Sequence, residues 1–425
     1  MKKIVRNAAA FAATCLALFS LQGCVKDSFK RTETYVIMTP IYETVQSVRE
    51  NVKSNAPKEI TKPGKIYMKG DYIFLNEVEK GIHVIDNSNP SNPRNIAFID
   101  IPGCVDLAVK DNILYADLYK DLVAIDISDP TNVVLKKTVE GVFPDRYYTN
   151  GFIPDGAMII VGWNKKDTTV VEEGDGNWRR RPDAVIYALA DASVFNGGLA
   201  SSSGGGSGRG GSMARFTIIN DRMYTVGHTN MKIFNISEPA SPTVSGTKYI
   251  GQQIETIYPF QDNLFIGSTS GMYIFNVGNP DAPVQTGTFS HVRSCDPVIT
   301  DGVHAYVTLR SGSACQGFTN QLEVLKLTSL SNPTMVKIYQ LTNPRGLSKD
   351  GNTLFICDGP AGLKVYNAAD VNNLQLVKTL GGKETFDVIA HNGNALMVAA
   401  DGLYQYDYSD PADIKLRSKI PVAVQ

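Results

Sequence analysis

The sequence predicts an all-β fold, a β-propeller built from four-stranded blades. A short apolar run that ends in an acid or amide, followed by a turn with Pro, recurs about every forty residues, as in DLVAIDISDPTNV at 121–133 and GIHVIDNSNPSNP at 81–93. Between these runs lie short segments of Val, Ile, Tyr and Leu punctuated by Gly, Asn and Pro, a pattern typical of strands. Because one such unit cannot bury both faces of its small sheet, neighbouring units must stack, and radial closure protects their edges.

The residue that ends each apolar run marks the repeats along the chain. These residues are Asp86, Asp126, Asn235, Asn276, Lys326, Asn367 and Asp407. The gap of 235 − 126 = 109 residues is long enough to hold one further unit, and DAVIYALAD at 183–191 is a degenerate match within it. The pattern predicts eight blades in a propeller at 63–425, with seven as the alternative if this third repeat is not a full blade. In each blade the apolar run is the third strand, it packs between blades, and the Asp or Asn caps the next turn.

The third repeat departs from this pattern in two places. NKKDTTVVEEGDGNWRRRP at 164–182 predicts a long loop between its second and third strands, and 311–321 predicts another in a later repeat. NGGLASSSGGGSGRGGS at 196–212 predicts a flexible stretch in place of a fourth strand. The glycines of this stretch lack the flanking strand and helix of a phosphate-binding loop.

The first residues have the features of a targeting signal. Three basic residues precede AAAFAATCLALFSL, an apolar run too short for a stable membrane span. The run ends in LQGC, which resembles the lipobox of bacterial lipoproteins, and Val25 resembles the pattern of those sent to the outer membrane. We therefore expect a signal peptide at 1–23 and a Cys24 whose acyl chains hold the protein at the outer membrane, with an uncleaved anchor as the alternative. Lys26 and Asp27 resemble a surface-export tag.

Residues 24–62 link this anchor to the propeller. TYVIMTPIY at 34–42 alternates like a strand and is expected to pair with a blade edge. Val45, Val48 and Val52 lie at helical spacing, which predicts a short amphipathic helix before the first blade.

Charge and motif content argue against several classes of function. The chain has 41 basic and 42 acidic residues, a formal net charge of −1, and this balance predicts no nucleic-acid partner. The five histidines do not have the spacing of a helical zinc site, and the sequence contains no Cys-x-x-Cys pair, Gly-x-Ser-x-Gly elbow or Gly-Lys-Ser/Thr loop. No motif of this kind points to an enzyme.

Four cysteines follow the lipidation position. Cys295 opens the first strand of one repeat and Cys315 follows its second strand, so both are expected at the same end of a blade. A disulfide between them is predicted, because an exported chain meets an oxidising compartment. Cys104 and Cys357 belong to distant repeats and are expected to be small buried residues.

The runs LVAID, IHVID, LKVYN and LYQYD resemble those of the LVIVD-repeat family, predicted propellers of bacterial cell surfaces. The resemblance extends from about residue 65 to the C-terminus. It implies the propeller fold, and it implies no activity because the family has no agreed one.

Polar and charged residues recur at the start of the first strand. Counting five residues back from the turn after that strand reaches Lys65, Asp106, Asn150, Asp296, Arg345 and Asp387. The first strand of a propeller blade lines the central axis, so these residues are expected to ring one mouth of the channel. The ends of second strands and the long loops share that face and add Asp117, Arg310, Asp358, Asp401 and Trp178. Polar residues and long loops together predict a binding face.

Four interpretations of this face remain open. The first is a non-enzymatic binding or scaffolding propeller that holds another outer-membrane protein or a glycan. The second is that its acids and bases only pair with one another. The third is a calcium or sodium ion bound by Asp106, Asp296 and Asp387, although Lys65 and Arg345 share the ring. The fourth is a hydrolase or lactonase that uses axial carboxylates, with or without a metal. The missing catalytic motifs favour the first.

Overall fold

The computed structural model describes residues 29–144, 146, 148, 152, 157–174, 208–291, 297–312 and 318–423. The chain divides into two compact units, a small one of Met1–Tyr42, Tyr148–Pro154 and Ile160–Ala192 and a larger one with the other residues. Within the described ranges, no helix has the length and apolar character needed to cross a membrane.

The small unit is built on a two-stranded sheet, in which β1 (Phe29–Thr44) pairs with β11 (Met158–Gly174). The predicted strand at 34–42 is confirmed, but its expected partner, a blade edge, is wrong. The predicted loop at 164–182 is wrong as far as Gly174, because the β-branched residues of NKKDTTVVEEG continue β11. The last residues of that predicted loop lie outside the described ranges.

The larger unit begins with helix α1 (Val45–Glu50), which confirms the helix predicted before the first blade. Thr44 is its N-cap and accepts a hydrogen bond from the backbone N of Ser47 at 3.1 Å, while Val48 is buried. The chain then forms β2 (Lys53–Asn55), which pairs with the outer strand of the first blade.

The rest of the larger unit contains seven four-stranded antiparallel propeller sheets, each ordered from the channel outward. Blade 1 holds β3 (Pro63–Lys69), β4 (Tyr72–Glu77), β5 (Gly81–Asp86) and β6 (Arg94–Asp100). Blade 2 holds β7 (Leu107–Lys110), β8 (Ile113–Leu118), β9 (Asp121–Asp126) and β10 (Val134–Val139). Blade 3 holds β13 (Phe216–Ile219), β14 (Arg222–Val226), β15 (Asn230–Asn235) and β16 (Thr243–Tyr249). Blade 4 holds β17 (Ile254–Phe260), β18 (Asn263–Ser268), β19 (Gly271–Asn276) and β20 (Val284–Ser290).

The last three blades follow the same plan. Blade 5 holds β21 (Val298–Thr300), β22 (His304–Leu309), β23 (Gln321–Lys326) and β24 (Thr334–Gln340). Blade 6 holds β25 (Leu347–Asp350), β26 (Thr353–Cys357), β27 (Leu363–Asn367) and β28 (Gln375–Leu380). Blade 7 holds β29 (Thr385–His391), β30 (Asn394–Ala399), β31 (Gly402–Asp407) and β32 (Lys415–Pro421). A further short strand, β12 (Arg209–Gly210), pairs with the inner edge of blade 1.

The acid or amide that ends the third strand caps the next turn, as predicted. In six blades its side-chain oxygen accepts a hydrogen bond from the backbone N two residues later, at 2.9 to 3.0 Å, and these residues are Asp86, Asp126, Asn235, Asn276, Asn367 and Asp407. In blade 5 this position is Lys326, which has no side-chain oxygen. The register between third and fourth strands shifts just before this residue in all seven blades, a bulge that bends the outer strand.

Blades 2 and 3 are direct neighbours, which makes the prediction of eight blades wrong and the alternative of seven correct. The Tyr115 hydroxyl of blade 2 donates to the Pro239 carbonyl at the turn of blade 3 at 2.7 Å, and Lys110 forms an ion pair with Asp221. These contacts leave no place for a blade between the two. The described residues that intervene in the sequence form β11 and β12 instead. The degenerate repeat at 183–191 lies outside the described ranges.

The ring closes between blade 7 and blade 1. Gln405 of blade 7 donates from Nε2 to Asn87 Oδ1 at 2.6 Å, and Ile60 forms a parallel bridge with Val422, just after the last strand. The start and the end of the propeller chain therefore meet at one junction.

Apolar residues of neighbouring blades pack against one another, as predicted for the third strands. Between blades 6 and 7, Phe355 and Val365 share a buried cluster with Met397. Full burial of one such side chain stabilises the fold by roughly 1.5–3 kcal/mol. Cys104 and Cys357 are buried and free, which confirms their predicted role as small core residues.

Candidate functional site

Residues 208–214, here called the channel segment, occupy the centre of the propeller. Through β12 the segment pairs antiparallel with β3 of blade 1. The backbone N of Gly208 donates to the carbonyl of Val109 in blade 2 at 3.2 Å, and the backbone N of Ile257 in blade 4 donates to the carbonyl of Ala214 at 2.9 Å. A segment that bonds to the first strands of blades on opposite sides of the ring must lie on its axis.

Ser212 ties the channel segment to the remaining side of the ring. Its hydroxyl accepts a hydrogen bond from the backbone N of Leu347, in blade 6, at 2.8 Å and donates to Asp387 Oδ1, in blade 7, at 3.4 Å. Gly211 leaves no space for a side chain, because a Cβ there would overlap the Asp387 carboxyl group. The predicted flexible stretch at 196–212 is therefore wrong for its last five residues, four of which are Gly or Ser. A Cβ at Gly208 or at Gly211 would overlap neighbouring atoms, so the segment lies in a narrow space at these two positions. The rest of that stretch lies outside the described ranges.

A cavity of about 490 Å³ opens where the first strands start and the second strands end, and we call it the mouth pocket. Its described lining contains five basic side chains and a single carboxyl group. The basic residues are Lys62, Lys65, Arg215, Arg310 and Arg345, the acid is Asp387, the apolar residues are Pro63, Val78, Val105, Met213, Phe386 and Ala400, and Thr61, Gly64 and Asn76 complete the lining. Because Met213 belongs to the channel segment, this segment forms part of the pocket wall.

Lys65 is a buried cation of the mouth pocket. Its ammonium group donates to the Met213 carbonyl at 2.8 Å and lies 3.4 Å from Asp106 Oδ2. Burial lowers the pKa of Lys65, and the Asp106 carboxylate partly offsets this effect. Asp106 also accepts a hydrogen bond from the backbone N of Arg215. Asp106 is thus a counter-ion behind the pocket rather than part of its lining.

Arg310 and Arg345 bring two further positive charges to the pocket. Arg345 pairs with Glu384, and its guanidinium carbon lies 4.7 Å from the centre of the Phe386 ring. Burial lowers the pKa of Arg310, and the charge of Arg345 lowers it further. Glu255 and Glu384 act in the opposite direction and raise the pKa of Arg310. Guanidinium groups on a pocket wall suit a bound anion.

Two buried polar atoms of the mouth pocket have no hydrogen-bond partner within the described chain, Asn76 Oδ1 and Asp387 Oδ2. The Asn76 side chain is oriented by its amide nitrogen, which donates to the carbonyls of Gly81 and Cys104, each at 3.1 Å. Burial raises the pKa of Asp387 to about 8. Buried polar atoms normally have partners, so these two mark positions where a bound group would be recognised.

Besides Asp106, three residues predicted for the binding face lie outside the mouth pocket. Asp117 accepts hydrogen bonds from two backbone N–H groups of its own blade, each at 2.9 Å. Asp358 pairs with Lys364, and Asp401 with Lys419, each at 2.7 Å. The structure therefore brings together Lys65, Arg310, Arg345 and Asp387 from the predicted face, with Asp106 behind them.

The remaining predicted residues fall outside the described ranges, namely Cys24, Asn150, Trp178, Cys295, Asp296 and Cys315. Lipidation and the disulfide therefore stay predictions. No cluster of three or more His, Cys, Asp or Glu side chains suited to a metal ion occurs in the part of the chain that the structure describes. A calcium or sodium ion at Asp106, Asp296 and Asp387 also stays a prediction.

Arg215 is a pocket residue that the sequence analysis did not identify, although its signal was present. The turn after the first strand of blade 3 lies at Asn220, and 220 − 5 = 215. The count included Asp155, which led to Asn150, but not the turns at Asn220 and Gln261, so blades 3 and 4 contributed no residue to the predicted ring. Asn76, Met213 and Phe386 carried no comparable signal, because their place in the pocket depends on the channel segment and on neighbouring blades.

Two parts of the chain match the family model described as the LVIVD repeat, residues 63–97 and 104–140. The chain contains LVIVD repeats. The first LVIVD repeat covers most of blade 1 and the second covers blade 2, so in this chain an LVIVD repeat is one propeller blade. None of the curated proteins matches the sequence.

Solved structures similar to this chain share its fold at low sequence identity. The computationally designed Ika8 protein is 9% identical, with 86% of this chain and 89% of that one covered at a TM-score of 0.51. A protein from Lactobacillus plantarum is 13% identical, with 77% of this chain and 87% of that one covered at a TM-score of 0.50. At these identities the likeness concerns the fold alone.

Proposed function

We propose that this protein is a non-enzymatic binding propeller, and that the mouth pocket is where it holds its partner. The observation that carries the proposal is the pair of buried atoms without hydrogen-bond partners in the described chain, Asn76 Oδ1 and Asp387 Oδ2, beside several cations. Such groups cost free energy in the unbound protein, and a ligand that pairs with them recovers it. A site built in this way is suited to recognition.

The lining of the mouth pocket gives less support to a hydrolase or lactonase. Those mechanisms need a second carboxylate or a metal next to the first acid. Asp387 is the single carboxyl group among the described lining residues, and Asp106 is held by Lys65 and the backbone N of Arg215. Binding is therefore the function that this geometry favours.

In this proposal the protein works at the outer membrane, held by acyl chains on Cys24. The support is the LQGC motif and the apolar run before it. The partner is another outer-membrane protein or a glycan. No nucleic acid is expected, because the chain as a whole is nearly neutral, with a formal net charge of −1.

Capture of the partner from detergent-solubilised membranes of the cells that produce the protein tests the proposal. Tagged wild-type protein should retain a component that the combined variant Arg310→Gln and Arg345→Gln loses. Arg417→Gln is the matched control, because it removes a guanidinium group that pairs with Asp407 at 2.6 Å on the outer strand of blade 7. Equal retention by the pocket variant and by this control would contradict a role for the mouth pocket.

A further inference from the structure

We propose that the mouth pocket binds an organic carboxylate that carries an N–H donor and an apolar group, the chemistry of an amino-acid residue with a free carboxyl group. This inference rests on the binding function proposed above and names the class of ligand. Such a group belongs either to a free N-acylated amino acid or to the C-terminus of a polypeptide. Three features of the pocket carry the inference.

The first feature is charge. Five cations and one acid line the described pocket, and the acid, Asp387, is largely protonated at neutral pH because burial raises its pKa to about 8. Arg345 donates from Nε to Asn343 and from Nη2 to Glu384. Its Nη1 has no partner in the described chain and remains available to a ligand. Guanidinium groups bind carboxylates through parallel hydrogen bonds, so an anion with planar oxygens suits this wall.

The second feature is the unpaired acceptor, Asn76 Oδ1. Its amide nitrogen donates to two carbonyls, which orients the oxygen toward the pocket. Gly64 leaves space beside this buried oxygen, because a Cβ at this position would come within 2.6 Å of it. An acceptor of this kind needs an N–H or O–H group on the ligand. Inorganic phosphate at neutral pH also has an O–H donor, so it is the apolar wall, rather than this acceptor, that separates it from an N-acylated amino acid.

The third feature is the apolar part of the wall. Val78, Val105, Met213 and Phe386 line the same cavity as the cations, and its volume of about 490 Å³ falls in the range of small-ligand sites. The Phe386 ring is covered on one side by Arg345, which leaves less of it for stacking against a sugar. A ligand with an aliphatic side chain beside its carboxylate fits this wall better than a uronic acid does.

Isothermal titration calorimetry with four probes tests the inference on the full chain. N-acetyl-leucine has the carboxylate, the N–H donor and the apolar group, and N-acetyl-leucinamide lacks the charge. Galacturonate and inorganic phosphate have O–H donors but lack both the N–H donor and the apolar group. We expect N-acetyl-leucine to bind at least about tenfold more tightly than each of the others, the factor that one charge-assisted hydrogen bond supplies. Equal or tighter binding of the amide, galacturonate or phosphate would overturn the assignment.

Variants connect the binding to the pocket. Arg345→Gln should weaken N-acetyl-leucine at least about tenfold, whereas Arg417→Gln should leave it unchanged. Arg310→Gln tests the same prediction if Arg345→Gln does not fold. Thermal unfolding establishes which variants are folded. Binding that survives in folded pocket variants would place the ligand elsewhere and overturn the inference.

One comparison separates the two sources of the carboxylate, and a second separates a failure of the ligand class from a failure of the binding function. Tighter binding of an acetylated tripeptide ending in leucine than of N-acetyl-leucine assigns the pocket to a polypeptide C-terminus, and equal binding assigns it to the free acid. If no carboxylate binds while the pocket variants still lose the membrane partner, the ligand class is wrong and the binding function stands. If neither ligand nor partner depends on the pocket, both fail.

Discussion

Asp387 is a carboxyl group whose chemistry depends on its place in the fold. It is 2 % exposed, and its neighbours are Ser212 and Gly211 of the channel segment. Burial raises the pKa of Asp387 from 3.8 to about 8, so the folded protein retains a proton that the unfolded chain releases near pH 4. The stabilisation from this proton is complete below the unfolded pKa and is lost as pH rises toward the folded one.

We expect Asp387→Asn to abolish this loss of stability, because the amide has the same shape and does not titrate. From about pH 5 to pH 8 the wild-type free energy of unfolding should fall by up to about 4 kcal/mol, and that of the variant should fall much less. Denaturant titrations at several pH values measure the difference.

Asp401→Asn serves as the control for this pH series. Hydrogen bonds from Lys419 and Tyr404 outweigh burial and lower the pKa of Asp401, so its contribution is lost only as pH falls below about 4. Its profile from pH 5 to pH 8 should follow that of the wild type. Parallel profiles for wild type and Asp387→Asn would contradict the burial of a protonated carboxyl group.

The channel segment explains why a glycine-rich run lies in a propeller of strands with large apolar side chains. Its residues pass between the first strands of the blades, where backbone hydrogen bonds and the small Ser212 hydroxyl make the contacts. The turns after the third strands behave differently, because the Asp or Asn side chain that caps each turn bonds locally and recurs in six of the seven blades. The available space therefore determines which residues fit on the axis of the propeller, whereas local hydrogen bonds determine which residues occur in the turns.

Gly211→Ala should destabilise the protein, because its new methyl group would overlap the Asp387 carboxyl group. We expect a loss of roughly 1–3 kcal/mol in the free energy of unfolding, as for other overpacked sites. Gly381→Ala is the matched control, since a Cβ at that position meets no atom within 4 Å. Equal stabilities of the two variants in denaturant titrations would show that the channel segment does not pack as described.

The whole propeller is held by contacts between residues distant in sequence. Blade 7 reaches blade 1 through Gln405 and Asn87, and the segment before blade 1 reaches the end of the chain through Ile60 and Val422. The first and last blades therefore pack against each other, and radial closure protects the edges of their sheets.

Attachment through Cys24 has a direct test. In bacteria that process lipoproteins, Cys24→Ser should leave the protein unacylated and shift it from the membrane fraction to the soluble fraction, because its acyl chains would be missing. Mass spectrometry of the N-terminus and fractionation measure both effects. Cys15→Ser, within the predicted signal peptide, keeps LQGC intact and should behave like the wild type. Retention of Cys24→Ser in membranes would disprove the predicted anchor.

The sequence alone determined the features that arise within one repeat. Alternation and turn residues predicted the four-stranded blade, the capped turns after the third strands and helix α1. A constant offset from the turns predicted the inward position of Lys65, Arg345 and Asp387. These patterns depend on local backbone structure and burial. Such signals need no knowledge of distant residues. The same offset leads from the turn at Asn220 to Arg215, which was missed because that turn was not among those counted.

The tertiary structure alone decided the number of blades, the path of the channel segment and the chemistry of the mouth pocket. Whether blade 3 follows blade 2 depends on contacts such as Tyr115 with Pro239, and whether Gly211 lies in the channel depends on the space beside Asp387. Contacts between residues far apart in the chain leave no periodic pattern in the sequence. The raised pKa of Asp387 has the same origin, because burial by other parts of the ring, rather than any neighbour in sequence, removes its water.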